Sequence, residues 1–164
     1  MKNIKLWWSD DRHKSAVFVA IYAVMPFVKW LQSLALGFTD NNFLVFRSSF
    51  YHLLHQQPLY FLYPSEHRDL FFYNPVFAFF FAPFALLPIP IGTLTWLVFL
   101  SFIFFKAAKV MPFRNGFLWL FLGLLIPEFS KNLGHLQPNI LNCALMLFVF
   151  VSLEKKQLDR KSVV

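Results

Sequence analysis

The 164-residue chain is 58% hydrophobic, 21% aromatic and only 14% charged, against about 45–50% apolar and about 25% charged in ordinary soluble domains. Small domains have a high surface-to-volume ratio, so a chain of this size cannot hide that much Phe and Leu from water. A soluble globular fold is excluded, and lipid is the solvent that remains. The net charge is +7, but Lys and Arg flank apolar runs, as cytoplasmic anchors do. They do not build the polar basic face that nucleic acid requires, and no nucleic-acid partner is expected.

Residues 1–14 form a tail of mixed charge whose Lys2, Lys5, Arg12 and Lys14 mark it as cytoplasmic by the positive-inside rule. The first apolar run, Ser15 to Leu36, is long enough to cross at about 20 residues per span. No small-residue cleavage site follows it, so it reads as an uncleaved span and not a signal peptide. Lys29 lies within it, roughly 10 Å from the Leu36 end at 1.5 Å per residue. Either its stem snorkels to the membrane surface or its ammonium serves a polar interior.

Residues 37–74 make a long loop expected on the outer side, with Arg47 and Arg68 its only Lys or Arg. Phe43, Phe46, Phe50 and Leu53 recur every three or four residues and predict a helix over 42–55. Asp40, beside Thr39, is placed as its N-cap. This helix is expected to lie in the membrane interface with its Phe stripe toward lipid. Arg47, Tyr51 and His55 would then face the head-group layer. Pro58, Pro64 and Pro75 punctuate the rest of the loop, and Tyr60, Tyr63 and Tyr73 suit an interfacial aromatic belt.

Four further apolar segments follow: 75–89, which includes Pro83 and Pro88, residues tolerated in membrane helices when neighbours satisfy the freed carbonyls, then 91–105, 117–126 and 140–153, ahead of a basic tail, 154–164. Five full crossings would put Lys106, Lys109 and Arg114, and also Lys155, Lys156, Arg160 and Lys161, outside. Making 75–89 a re-entrant hairpin leaves four crossings and both clusters inside, and the positive-inside rule prefers that arrangement. The expected fold is all-α: a polytopic helical membrane protein with four to five apolar segments and an amphipathic interfacial helix in its first outer loop. Residues 15–153 form a single membrane domain in a multi-pass protein of the plasma (inner) membrane. Cys143 is the only cysteine, so no intrachain disulfide can form, and inside an apolar run it reads as a small hydrophobe.

Several stretches, in order, resemble one family. They are Asn42-Phe43-Leu44-Val45-Phe46, Gln57-Pro58-Leu59-Tyr60, Phe72-Tyr73-Asn74-Pro75, Ala82-Pro83-Phe84-Ala85-Leu86-Leu87-Pro88 and Trp96. Gly134-His135-Leu136-Gln137-Pro138-Asn139 looks like a loosened Gly-Gln-x-Asn element. Together they resemble the family-87 polyprenyl-phosphate-dependent glycosyltransferases of the GT-C class. The resemblance implies hexosyl or pentosyl transfer at the outer face, from a polyprenyl-phosphate sugar donor to a glycan or glycolipid acceptor. It implies a catalytic carboxylate in the first outer loop, best supplied here by Asp40, because Asn42 stands where the family's acid is expected. It implies a substrate site drawn from Asn42, Arg47, His52, Tyr60, Tyr73, Gln137 and Asn139. The enzymes it resembles are longer, so further C-terminal helices or a partner subunit are expected. The alternative is a non-catalytic membrane protein, a truncated homologue or subunit that binds lipid or a partner.

Each residue also has a plainer reading. Asp40 can simply cap the loop helix, and Arg47 can meet ordinary anionic head groups. His135, Gln137 and Asn139 can form an ordinary turn, and Glu128 can pair with Lys131 three residues on. His52 and His55 have a spacing that a metal accepts, but no third ligand accompanies them. No cofactor is expected, although a divalent metal stays open. Gly-rich phosphate loops, nucleophile elbows and internal repeats are all missing from the sequence. The sugar-transfer expectation hangs on the interfacial placement of the 42–55 helix.

Overall fold

The computed structural model describes residues 11–37, 40–113 and 116–161, without the side chains of Asp11 and 156–161. Lys2, Lys5, Thr39 and Arg114 lie outside the described residues, as do the side chains of Lys156, Arg160 and Lys161. Among the described residues the chain is all helical. In chain order the helices are α1 (Asp11–Ala35), α2 (Asn41–Leu54), α3 (Pro75–Phe80), α4 (Ala82–Ala85), α5 (Ile89–Val110), α6 (Phe117–Gly134) and α7 (Asn139–Lys161). Two of them, Arg12–Ala35 within α1 and Ile89–Val110, are long and apolar enough to cross a membrane.

The apolar segment 75–89 is not one helix. Asn74 caps α3 by accepting the Val76 N–H at 2.9 Å, and Pro75 takes the first helical position, where its missing N–H costs nothing. The chain turns at Phe81 before the four residues of α4. Pro83 and Pro88 remove two donors that a longer helix would have needed.

The chain divides into two compact units. One comprises Pro26–Val98 and Leu133–Gln137. In it α2 packs on α3 and α4, and the Phe stripe forms the seam. Phe43, Phe46 and Phe50 are 1%, 1% and 4% exposed. Phe46 meets Phe77 and Phe81 edge-on, with centroids 5.1 and 5.4 Å away, a favoured arrangement of ring quadrupoles. The expectation that this stripe faces lipid is therefore corrected: the apolar face of α2 is turned into protein. Helical spacing identified the stripe correctly, but the partner is aromatic side chains of residues 77–84.

Trp96 completes this core. It is fully buried, edge-on to Phe81 at 5.1 Å and Phe84 at 5.0 Å, and its indole N–H donates to the Leu136 carbonyl at 3.1 Å. Leu136 adopts a positive φ of 53°, a region that non-Gly residues enter only when held there, and its side chain is fully buried. Gly92 marks the tightest approach: a Cβ there would strike the Phe84 carbonyl oxygen and sit 2.9 Å from the Phe43 ring. Trp30 ties α1 to the start of α5 by donating to the Pro90 carbonyl at 2.8 Å.

The other unit comprises residues 1–25, Phe99–Asn132 and Pro138–Val164. Tyr22 is its centre, with rings of Phe104 and Phe129 at 5.8 and 4.7 Å. Its hydroxyl donates to the Leu122 carbonyl at 2.8 Å, so the one polar atom it buries is satisfied. Phe18 stacks on Trp119 with centroids 5.5 Å apart, beside Gly123.

Candidate functional site

The first unit gathers its polar groups at the start of α2. Asp40 occupies the N-cap position with extended backbone, yet its side chain makes no capping hydrogen bond. The carboxylate instead accepts the hydroxyl of buried Ser33 on α1, so the plainer reading of Asp40 as a side-chain cap is not what the structure places there. Asn41 is held on both sides of its amide, donating to Asp69 at 2.7 Å and accepting the Arg68 N–H at 2.6 Å. Asn42 donates to the His135 carbonyl at 2.8 Å, which fixes the 133–137 turn against α2.

Lys29 lies four residues before Ser33 on α1, hence on the same helix face. Its stem runs along Gly134, where a Cβ would be 3.5 Å from the ammonium and 3.8 Å from the adjoining methylenes. The ammonium therefore lies against Gly134, in the unit that also carries Asp40. A carboxylate fixed by a hydroxyl, an amide fixed by a carbonyl, and an ammonium on the same unit are groups able to accept a proton and stabilise an anion.

The polar face of α2 lines a cavity of about 430 Å³, with Arg47, Ser48, Tyr51, His52 and Glu66 among its walls. Arg47 donates through Nε to the Ala85 carbonyl at 3.1 Å, and Tyr51 donates to the same oxygen at 3.2 Å. That carbonyl ends α4, where helical carbonyls lack intrahelical partners. The guanidinium lies 5.1 Å from the Tyr51 ring centroid, and its terminal amines meet no acceptor among the described residues. A planar, permanently charged fork left in that way suits a phosphate.

His52 is 4% exposed and its Nε2 stands 3.1 Å from Glu66 Oε2, on a side chain 42% exposed. Burial alone would push the Glu66 carboxyl up, but hydrogen bonds from Ser48 and His52 and the charges of His52 and His67 bring it below its usual value of 4.5. A lowered carboxyl contributes stability above pH 4.5, which is lost as acid protonates it. Glu66→Gln is therefore expected to flatten the dependence of the unfolding temperature on pH between neutrality and acid. Unfolding scans of both proteins across that range check it, and identical slopes would show that Glu66 carries no such linkage. Beside this pair the buried His67 leaves Nδ1 without a hydrogen-bond partner.

The sequence-derived residues thus fall in separate places. Asp40 and Asn42 meet at the start of α2, and Arg47 and His52 share the cavity on its polar face. Tyr60 and Tyr73 join each other, the Tyr60 hydroxyl donating to the Tyr73 carbonyl at 3.3 Å, with their rings on Phe71. Gln137 sits half-buried in the 133–137 turn, while Asn139 belongs to the other unit. His52 and His55 do not cooperate: His52 turns to Glu66, and His55 contacts the Tyr51 carbonyl at 2.9 Å. No cluster of three metal-binding side chains occurs among the described residues.

Ser33, Ser48 and Glu66 were not singled out from sequence. Glu66 had a signal, an acid next to a histidine in a loop poor in carboxylates. Glu128 does not pair with Lys131; its Oε1 accepts from Asn132 at 2.7 Å, one residue further along the helix.

Compared with known proteins, the chain matches glycosyltransferase family 87 over residues 71–161, more than half of its 164 residues. Neither a curated protein nor a solved structure matches it. The matched stretch begins after α2, so the assignment stands on α3 to α7 and is independent of how α2 is placed. That matters, because the Phe stripe of α2 does not face lipid as the sequence reading required. The chain belongs to glycosyltransferase family 87.

Proposed function

We propose that this chain is a membrane glycosyltransferase that moves a hexosyl or pentosyl unit from a polyprenyl-phosphate carrier to a glycan or glycolipid acceptor at the outer face of the plasma membrane. Family membership over residues 71–161 is the observation that carries the reading. Asp40 is the general base on the acceptor hydroxyl, and Arg47 holds the donor phosphate. Asn42, His52 and Gln137 complete the substrate site of that unit. Tyr60 and Tyr73 act only through the packing of the loop around it, and Asn139, which belongs to the other unit, is not assigned to this site.

A membrane setting is supported by α1: only 22% of its most apolar window is buried, which leaves Val24, Phe27, Leu31 and Leu34 exposed. A helix that apolar and that exposed is suited to a lipid surrounding. Segments α3 and α4 together cover residues 75–85 and turn at Phe81, so their reach is below the roughly 16 Å of a straight helix at 1.5 Å per residue, about half of a 30 Å hydrocarbon core. We infer a re-entrant hairpin here, with α1, α5, α6 and α7 as the proposed crossings; among the described residues α1 and α5 are the two helices long and apolar enough to cross. Lys106, Lys109 and the C-terminal basic tail then lie inside with the N-terminus.

One observation favours the second reading, a non-catalytic homologue or subunit. Asn42 replaces the acid expected at its position, and its amide is already engaged by the His135 carbonyl. The test is transfer by the purified chain from polyprenyl-phosphate sugars, run beside nucleotide sugars, into lipid-linked acceptors. Transfer from the polyprenyl carriers alone supports the proposal. Transfer from a nucleotide sugar would overturn the donor class, and no transfer from either, with intact fold, would favour the non-catalytic reading.

A further inference from the structure

The second unit holds a pocket of its own, with Phe104, Leu125, Phe129 and Ile140 as apolar walls and Glu128, Asn132 and Asn139 as polar ones. The polar groups form a relay. Asn139 donates to Asn132 Oδ1 at 3.1 Å; Asn132 donates to Glu128 Oε1 at 2.7 Å and to the Glu128 carbonyl at 2.9 Å. The relay fixes one carboxylate oxygen and leaves Oε2 without a partner among the described residues. An ionisable residue within a membrane-crossing helix marks function by default, and α6 is one of the four crossings proposed above. The cation expected to neutralise it, Lys131, does not do so.

The chemistry of the pocket selects its occupant. A phosphate would meet the Glu128 charge with no cation in the lining. A hydrocarbon tail would strip water from a carboxylate and two amides and return no hydrogen bond. A neutral polyol offers hydroxyl donors to Oε2 and apolar C–H faces to Phe104 and Phe129, whose rings pair at 5.1 Å. Apolar walls with a few fixed polar groups are the usual make-up of a small-molecule site. The volume of about 220 Å³ is the space of roughly seven waters at about 30 Å³ each, which one monosaccharide ring fills and a disaccharide overfills. We propose that this pocket binds a single sugar ring, with Glu128 accepting its hydroxyls and Asn132 and Asn139 holding the carboxylate in place. The proposal rests on the sugar-transfer reading for its choice of polyol, but not on Asp40 or on the donor phosphate.

The chain carries its own reporter. Cys143, its only cysteine, lines the same pocket and is exposed. In a detergent without sugar head groups, a methyl hexopyranoside or pentopyranoside at twice its dissociation constant is expected to slow alkylation of Cys143 about threefold, by mass action. Glu128→Ala is expected to abolish that protection, and Lys131→Ala to keep it. Glu128→Gln retains the bond to Asn132 and loses the charge, so it covers the case in which the alanine variant does not fold, and its protection is expected to weaken. Cyclohexanol protecting as well as the glycosides would overturn the proposal in favour of a plain apolar slot, and so would glycosides that leave the alkylation rate unchanged. Sugar transfer without Cys143 protection sinks this pocket and spares the proposed activity. Protection without transfer does the reverse.

Discussion

Replacing Asp40 by asparagine is expected to lower sugar transfer by about 10²–10⁴-fold, the usual contribution of a positioned general base, with no change in unfolding temperature. In the proposed reaction the acceptor hydroxyl gives its proton to the carboxylate as its oxygen bonds to the anomeric carbon, and the phosphate departs with the electrons of the broken C–O bond. An amide cannot take that proton at neutral pH, so the step loses its base. The substitution is clean structurally. Asparagine has nearly the same shape, its oxygen can still accept from Ser33, and α2 loses no side-chain cap because Asp40 makes none. Initial rates from a polyprenyl-phosphate sugar, paired with unfolding scans, separate the two effects. A variant as fast as the parent would remove Asp40 from the mechanism.

The largest loss of stability is expected from Trp96→Ala. Deleting a buried Trp costs about 3–5 kcal/mol in a core that cannot collapse around the gap, and Trp96 is fully enclosed by Phe77, Phe81 and Phe84. The loss also leaves the Leu136 carbonyl without its indole donor. Leu136 depends on that contact more than most residues would, because its backbone sits at a positive φ. Trp96→Phe separates the contributions: most of the packing stays, and a lost hydrogen bond to a buried carbonyl costs about 1–3 kcal/mol. Denaturation in mixed micelles should rank the parent above Trp96→Phe and that variant above Trp96→Ala. Equal stability of the phenylalanine variant and the parent would show that the indole N–H contributes nothing.

Much of this architecture could be read from residues. Apolar runs announced α1, α5, α6 and α7; the shortness of 75–89 and the charge balance suggested that it does not cross, but Pro83 and Pro88 read as tolerable within a helix and the break at Phe81 was not foreseen. The spacing of Phe43, Phe46 and Phe50 revealed α2 and its apolar face. What spacing cannot say is whether such a face meets lipid or protein, since both reward the same side chains. Only the aromatic partners at 77–84, some thirty to forty positions away, decided it. Polar pairings failed for a related reason. Residues three and four apart are both neighbours on a helix, so pattern alone could not choose between Lys131 and Asn132 for Glu128. His52 and Glu66 meet across a loop, where no periodicity operates. Asp40 was visible as an N-cap, but its turn toward Ser33 was not.

Gly92 has a bearing on how this sequence can change. The Phe84 carbonyl and the Phe43 ring close over the spot where a side chain would begin, so α2, α4 and α5 behave as one casting at that point. A replacement at 92 demands a shifted backbone at 84 together with a smaller ring at 43, and such a change must arrive as a set. The cavity lined by Arg47 and Tyr51 hangs on the same α4 through the Ala85 carbonyl. Its outline is thus governed by an absent methyl group on a neighbouring helix.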